Sequence, residues 1–137
     1  KEAAAPMYTM TEEEFEQAIE DALDEMPEQF LDALDNIVII AEDEPDEYHL
    51  SAGEDPETLA GAYQEGELLG LYEGVNLVER ADGYEMDAPD VITIFKGPHE
   101  RLFETREEIV AEIGKTVIHE IGHYFGIDDE RLEEMGY

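Results

Sequence analysis

The chain has 137 residues, a formal net charge of −32 from 39 acidic and 7 basic residues, and 42% apolar residues. This length and composition fit one folded domain with one hydrophobic core. Such a charge repels nucleic-acid phosphates and anionic lipids, and no apolar run approaches membrane-spanning length. We therefore expect neither nucleic acid nor a membrane as a partner.

The acidic excess has two interpretations. It is typical of a highly soluble or salt-adapted surface, and it also attracts cationic peptides or metal ions. We favour the first interpretation, because runs of charge are usually solvated faces. The chain contains no cysteine, which excludes disulfides and a thiolate zinc site. The absence of cysteine fits a reducing compartment, so we expect a cytoplasmic protein.

The first residues predict a leader rather than part of the core. Lys1–Pro6 has the composition of a disordered segment, and we assign residues 1–10 to this leader. The remaining residues, 11–137, show no internal repeat and no second-domain boundary, so we expect them to form a single domain.

Two helices are predicted next. Thr11 and Glu14 have the spacing of a capping box, and apolar residues then recur at helical spacing to about Met26. Pro27 suits the first turn of a short second helix. The buried side of that helix is predicted to consist of Phe30, Leu31 and Leu34.

Three runs of β-branched and other apolar residues predict strands, at Asn36–Ala41, Leu68–Tyr72 and Val91–Lys96. Gly97-Pro98 ends the third strand. Between the strands, we expect a solvated acidic loop at Glu42–Tyr48 and a helical turn within Pro56–Glu67. The glycines of this region are predicted at turns or close-packing positions rather than in a phosphate-binding loop, namely Gly66, Gly70 and Gly74.

The longest predicted helix begins with a second capping box, Thr105 with Glu108, and runs to about Phe125. Apolar residues at four-residue steps form one stripe that we expect to pack against the sheet: Ile109, Ile113, Val117, Ile121 and Phe125. His119 and His123 fall on nearly the opposite side. The helix is therefore predicted to have a core face and a chemical face.

The residues His119-Glu120-Ile121-Gly122-His123 predict a metal site with its own catalytic base. Histidines four residues apart on a helix can bind one ion, and Glu120 is close enough to take a proton from a metal-activated water. Gly126 can end the helix in a left-handed conformation, which brings Asp129 back as a third ligand. We expect one zinc ion per chain, with manganese, iron or nickel as alternatives for the same ligands.

The acidic pair after Gly126 leaves one alternative open. Either Asp128 or Asp129 can be the ligand, and the other can cap a last helix that turns Leu132 and Met135 inward. Spacing favours Asp129 as the ligand.

The motif HExxHxxGxxD resembles the metzincin type of zinc peptidase, with aspartate in place of the usual third histidine. The segment that contains this motif, Thr116–Leu132, and three further segments are similar to the small bacterial family of minimal zincin-like metallopeptidases: Asp35–Pro45, Leu69–Gly74 and Ile92–Pro98. The resemblance covers about Thr11 to Tyr137. It implies an α+β fold in which a short mixed sheet of three to four strands packs on a long active-site helix with flanking helices. It also implies His119, His123 and Asp129 as ligands and Glu120 as the base.

The chain end departs from the metzincin pattern. Met135 follows Asp129 too soon for a methionine turn below the metal, so we interpret it as core of the last helix. Tyr137 is a candidate for stabilising the substrate. By resemblance, a peptide adds a strand to the sheet edge, for which Val91–Lys96 is one candidate and Leu68–Tyr72 the other.

The function predicted from these residues is hydrolysis of peptide bonds by a zinc metalloendopeptidase, with a peptide or protein as substrate. So short a chain predicts a shallow site or completion by an unidentified protein partner. The alternatives are a metal-binding interaction or regulatory module with little turnover, and a structural zinc site. Outside the motif, we expect His49 and His99 on the surface, and Lys115 paired with Glu112 rather than placed in the cleft.

Overall fold

The computed structural model describes residues 6–53, 61–74, 90–124 and 129–135. These residues form six α-helices, a 3-10 helix at Asp32–Asn36 and four strands. The helices are α1 (Glu12–Asp24), α2 (Glu28–Leu31), α3 (Glu47–Gly53), α4 (Lys96–Leu102), α5 (Arg106–Tyr124) and α6 (Asp129–Glu134), and the strands are β1 (Ile37–Glu42), β2 (Gly61–Gln64), β3 (Glu67–Glu73) and β4 (Asp90–Phe95). The predicted α+β class is confirmed.

The four strands form one mixed sheet in the order β1-β4-β3-β2. β1 and β4 are parallel, whereas β3 is antiparallel to both β4 and β2. β4 and β3 each have a neighbour on both sides, so both candidates for the substrate edge were wrong. Of the strands that the structure describes, β2 lies at the end of the sheet beside β3.

The hairpin of β2 and β3 replaces the helical turn that we predicted within Pro56–Glu67. Glu65 has a φ of 50° and Gly66 a φ of 82°. Two central residues with positive φ match the twist of a two-residue hairpin turn. The prediction was therefore wrong for residues 61–67, while residues 54–60 lie outside those described. Gly66 does occupy a turn, as the sequence indicated.

Both predicted capping boxes are present, and they start the two long helices. At the start of α1, the Glu14 amide donates to Thr11 Oγ1 at 3.0 Å, and the Thr11 amide donates to Glu14 Oε1 at 2.8 Å. At the start of α5, the Glu108 amide donates to Thr105 Oγ1 at 3.1 Å, and the Thr105 amide donates to Glu108 Oε1 at 3.2 Å. Each box provides side-chain acceptors for backbone amides that have no hydrogen-bond acceptor within the helix.

Helix α5 lies between α1 and the sheet. The predicted apolar stripe is buried at Ile109, Ile113, Val117 and Ile121, and it belongs to the main core together with Phe15 of α1 and Ile92 of β4. Phe125, the last residue of the predicted stripe, lies outside the described residues. Burial of this stripe fixes the rotation of α5 about its axis, and so decides which way the motif residues face.

The predicted leader does not extend to residue 10. The Met7 and Tyr8 amides donate to the Glu100 carbonyl at 2.7 and 3.2 Å, and Met10 is buried in the core. The Met10 amide also donates to Glu100 Oε2 at 2.7 Å, and Lys96 Nζ donates to the Met10 carbonyl at 3.2 Å. Met7–Met10 thus packs against α4, while residues 1–5 lie outside the described part.

β4 ends at Phe95, before Gly97-Pro98 as predicted, and these two residues lie in the first turn of α4, where proline is well tolerated. Two further local predictions differ from the structure. The acidic loop after β1 ends earlier than Tyr48, because α3 begins at Glu47. Leu31 is 38% exposed, although we expected it to be buried like Phe30.

The histidine predictions were also wrong. His99 is fully buried in α4, its Nδ1 donates to the Phe95 carbonyl at 2.6 Å, and its ring lies between those of Phe15 and Phe103. Burial lowers the pKa of His99 to about 4, so this imidazole is neutral near pH 7. His49 is partly buried, with its ring centroid 4.9 Å from that of Phe95.

The last helix behaves as the sequence predicted. Leu132 is fully buried, and Met135 packs partly buried against the main core. Met135 is thus a core residue, as its spacing indicated. None of the helices within the described ranges has the length and apolarity that crossing a membrane requires.

Candidate active site

Two of the predicted site residues are described in full, and both lie in the C-terminal half of α5. His119 is partly buried and Glu120 is only 2% exposed. His123 lies in the same helix one turn later, but its side chain is not among those described. The neighbours Ile118 and Ile121 are buried as well. The described part of the predicted chemical face, His119, is therefore partly shielded from solvent.

His119 and Glu120 open together onto a cavity of about 310 Å³ between α5 and β2. One wall is β2, from Gly61 to Gln64, and Leu69 of β3 closes one side. The opposite wall is a single face of α5, formed by Glu112, Lys115, Thr116, His119 and Glu120. Residues spaced three or four apart on a helix lie on one face. The stripe predicted as core and this wall therefore occupy different faces of α5.

A glycine lets the sheet approach α5 beside this cavity. A Cβ atom built on Gly70 of β3 would lie 2.8 Å from Thr116 Cγ2 and 3.3 Å from the Thr93 carbonyl oxygen. Thr116 is buried and stands one turn before Glu120. Gly70 is thus a close-packing position, as predicted, because any larger residue would push β3 away from the helix that carries the motif.

The last helix packs on the motif itself. A Cβ atom built on Gly122 would lie 3.0 Å from both Cδ atoms of Leu132 in α6. Asp129 is the first residue of α6, so the backbone that carries the predicted third ligand belongs to a helix packed against the turn between His119 and His123. The side chain of Asp129 is not among those described, nor is any atom of Asp128.

The fit to zinc rests on the donor set. Among the described side chains, which do not include those of His123 and Asp129, no three histidines or carboxylates form a metal site. The described part of the site offers the partly buried imidazole of His119 and the buried carboxylate of Glu120, both facing one cavity. Two imidazoles and a carboxylate are ligands that catalytic zinc accepts, with a fourth position left for water. These residues therefore fit a zinc ion.

Glu112 is a second carboxyl group in the cavity wall, beside that of Glu120. Burial raises the pKa of the Glu112 carboxyl, and electrostatic interactions with Lys115 and His119 offset part of this effect. The predicted ion pair between Lys115 and Glu112 is absent from the described contacts. Lys115 is exposed at the rim of the cavity and acts on Glu112 only through its charge.

A larger groove of about 830 Å³ lies elsewhere, between the end of α1 and the first half of α5. An ion pair from Arg106 to Asp21 crosses its wall. No histidine lines it within the described part of the chain. Size alone therefore does not identify the candidate site, whereas the positions of His119 and Glu120 do.

Sequence reasoning missed the β2 wall and the place of Glu112. One signal for β2 was available: Glu65-Gly66 stands between two short segments with apolar residues, as in a two-residue hairpin. Glu112 was visible only as a possible partner of Lys115, because its burial depends on where β2 lies.

Comparisons with known proteins agree with this fold. A family model described as Zincin-like metallopeptidase matches residues 34–137. The chain is also similar to a solved structure of a conserved hypothetical protein from Thermus thermophilus, with 23% identity and a TM-score of 0.50 over 91% of this chain and 99% of that chain. At this identity the likeness shows the fold. No curated protein matches the chain.

Proposed function

The chain belongs to the zincin-like metallopeptidase family, and on that premise we propose that it is a zinc-dependent peptidase that hydrolyses peptide bonds by attack of water, without a covalent intermediate. The observation that carries this proposal is the shared cavity of His119 and Glu120 beside β2. An imidazole of the type that binds metals and a buried carboxylate line the same cavity, an arrangement that suits metal-assisted hydrolysis.

Each residue has a distinct role in the proposed reaction. His119, His123 and Asp129 hold the zinc ion, which when bound makes water more acidic and polarises the carbonyl of the peptide bond. Glu120 accepts the proton of the attacking water and later donates it to the leaving amine. The burial of Glu120 keeps bulk water away from this proton transfer.

β2 offers a place for the substrate. It lies at the end of the described strand order and forms the wall opposite the motif. An extended peptide that pairs with β2 would pass the cavity with its backbone held by hydrogen bonds. We therefore assign peptide binding to β2 in place of the two strands considered from the sequence.

The test is hydrolysis of a mixed peptide library by zinc-loaded protein, by protein stripped with a chelator, and by stripped protein reloaded with zinc. We expect cleavage by the loaded and reloaded forms and none by the stripped form. A zinc-loaded protein that cleaves no member of the library would contradict the peptidase proposal. That outcome would favour a metal-binding module with little turnover.

A further inference from the structure

Glu112 combines partial burial with the lack of an ion pair among the described residues. Within the described contacts it makes no hydrogen bond and no ion pair, although it stands in the cavity wall. Most other basic side chains that the structure describes are engaged: Lys96 with Glu100, Arg101 with Glu44 and Glu67, Arg106 with Asp21, and Arg131 with Glu134. Lys115 acts on Glu112 through its charge, but no ion pair joins the two.

A partly buried carboxylate that makes no ion pair can bind a cationic group of a ligand. Burial removes part of its water shell, and a cation or a charged hydrogen-bond donor restores the lost stabilisation. Lys115 does not fill this role, because its side chain is exposed and remains hydrated. The volume beside Glu112 belongs to the same cavity that His119 and Glu120 face. A ligand in this cavity therefore meets Glu112.

The spacing of residues along α5 indicates which residue of a bound peptide would reach Glu112. Glu112 precedes His119 by seven residues, which is two helical turns on one face and roughly 10 Å along the axis. An extended peptide advances about 3.3 Å per residue. A peptide that runs along this face of α5 and has its reactive bond beside His119 would place a side chain about three residues away next to Glu112.

The net charge of the chain favours a basic over an acidic peptide side chain next to Glu112. A net charge of −32 attracts cationic peptides and repels acidic ones. The ammonium group of Lys115 is exposed and well hydrated. Its attraction for an acidic peptide is therefore too weak to reverse the preference for a basic one.

We propose that Glu112 determines substrate specificity by binding a lysine or arginine side chain about three residues from the bond that is hydrolysed. This rests on the proposed peptidase function and names its substrate class, a basic peptide. Glu112 has no part in the chemistry of bond cleavage.

The experiment measures binding and cleavage separately. The probes are capped alanine-glycine peptides with a single lysine, glutamine or glutamate moved through successive positions. Binding is measured on zinc-loaded Glu120→Gln protein, with and without Glu112→Gln, by fluorescence anisotropy. Cleavage of the same peptides is measured on zinc-loaded protein that keeps Glu120. Glu107→Gln is the matched control, because Glu107 is exposed on the same helix and its change removes the same charge.

We expect the lysine peptide to bind about three- to tenfold more tightly than the glutamine peptide at one position only, as for a partly screened ion pair. Glu112→Gln should abolish this preference, Glu112→Lys should transfer it to glutamate, and Glu107→Gln should leave it unchanged. In the cleavage assay, the preferred position should lie about three residues from the cut.

The two possible failures are distinguishable. A lysine preference that depends on Glu112, without cleavage by the protein that keeps Glu120, would overturn the peptidase function and leave the basic subsite standing. Cleavage without a lysine preference, or with one that survives Glu112→Gln, would overturn the subsite alone. An equal loss of binding for all peptides on Glu112→Gln would also overturn it, since that is the effect of a structural residue.

Discussion

Gly122 lies against Leu132, and this contact joins the HExxH motif to the last helix. A Cβ atom at Gly122 would stand 3.0 Å from both Cδ atoms of the fully buried Leu132. The glycine inside the motif thus has a packing role. It allows α6, which begins at Asp129, to rest on the turn between the two histidines.

Replacing Gly122 tests this role, and Gly114 in the same helix is its matched control. Gly114→Ala should stabilise the protein by about 0.5–1 kcal/mol, because alanine favours the helix and the nearest atoms to its Cβ would be 4.0 Å away. Gly122→Ala should lose this gain through its contact with Leu132, and should weaken zinc binding by displacing α6. Urea unfolding and competition with a zinc chelator measure both effects. Equal stabilisation by the two variants would contradict the packing role.

Gly70 offers a test of how closely the sheet and α5 must pack. Gly70→Ala should destabilise the protein by about 1–3 kcal/mol, the usual cost of an overpacked site, because its Cβ would lie 2.8 Å from Thr116 Cγ2. Thr116→Ser removes that methyl group and keeps the hydroxyl. We therefore expect the double variant to recover part of the loss in a double-mutant cycle. Strictly additive effects would show that the two residues do not press on each other.

His99 makes stability depend on pH. Its folded-state pKa is lowered from 6.5 to about 4 by burial, so the folded protein favours the neutral ring. The contribution of the neutral His99 ring to the free energy of unfolding is complete above pH 6.5. It decreases as the pH falls toward 4, by up to about 3 kcal/mol. We expect the difference in unfolding free energy between the protein and His99→Gln to shrink over this range, while the carboxylate titrations shared by both largely cancel. A difference that stays constant from pH 7 to pH 4.5 would contradict the buried neutral state.

Local signals in the sequence predicted the parts of the fold that depend on neighbouring residues. The two capping boxes at Thr11 and Thr105 marked the starts of α1 and α5, because a cap is formed within four residues. The four-residue steps of the apolar stripe likewise predicted the buried face of α5. The metal ligands remain predictions, since the side chains of His123 and Asp129 lie outside those described.

The predictions that failed concern contacts between distant segments. β2 has only four residues and is defined by its pairing with β3, so its own residues gave little strand pattern. His99 is buried by Phe15 and Phe103, of which Phe15 is far away in sequence. Lys115 lies at the rim of a cavity whose other wall is β2. Spacing along the helix alone could not reveal this cavity, so it predicted an ion pair between Lys115 and Glu112 instead.

The central claim is that Glu120 supplies the base for hydrolysis at a zinc site. The most direct measurement compares kcat/KM of the protein and its Glu120→Gln variant on one cleaved peptide, with zinc content determined for both and Glu107→Gln as a control. We predict equal zinc content and a loss of about 10²–10⁴-fold in kcat/KM for Glu120→Gln, with Glu107→Gln unchanged. A Glu120→Gln variant that holds zinc and hydrolyses the peptide at the original rate would contradict the claim.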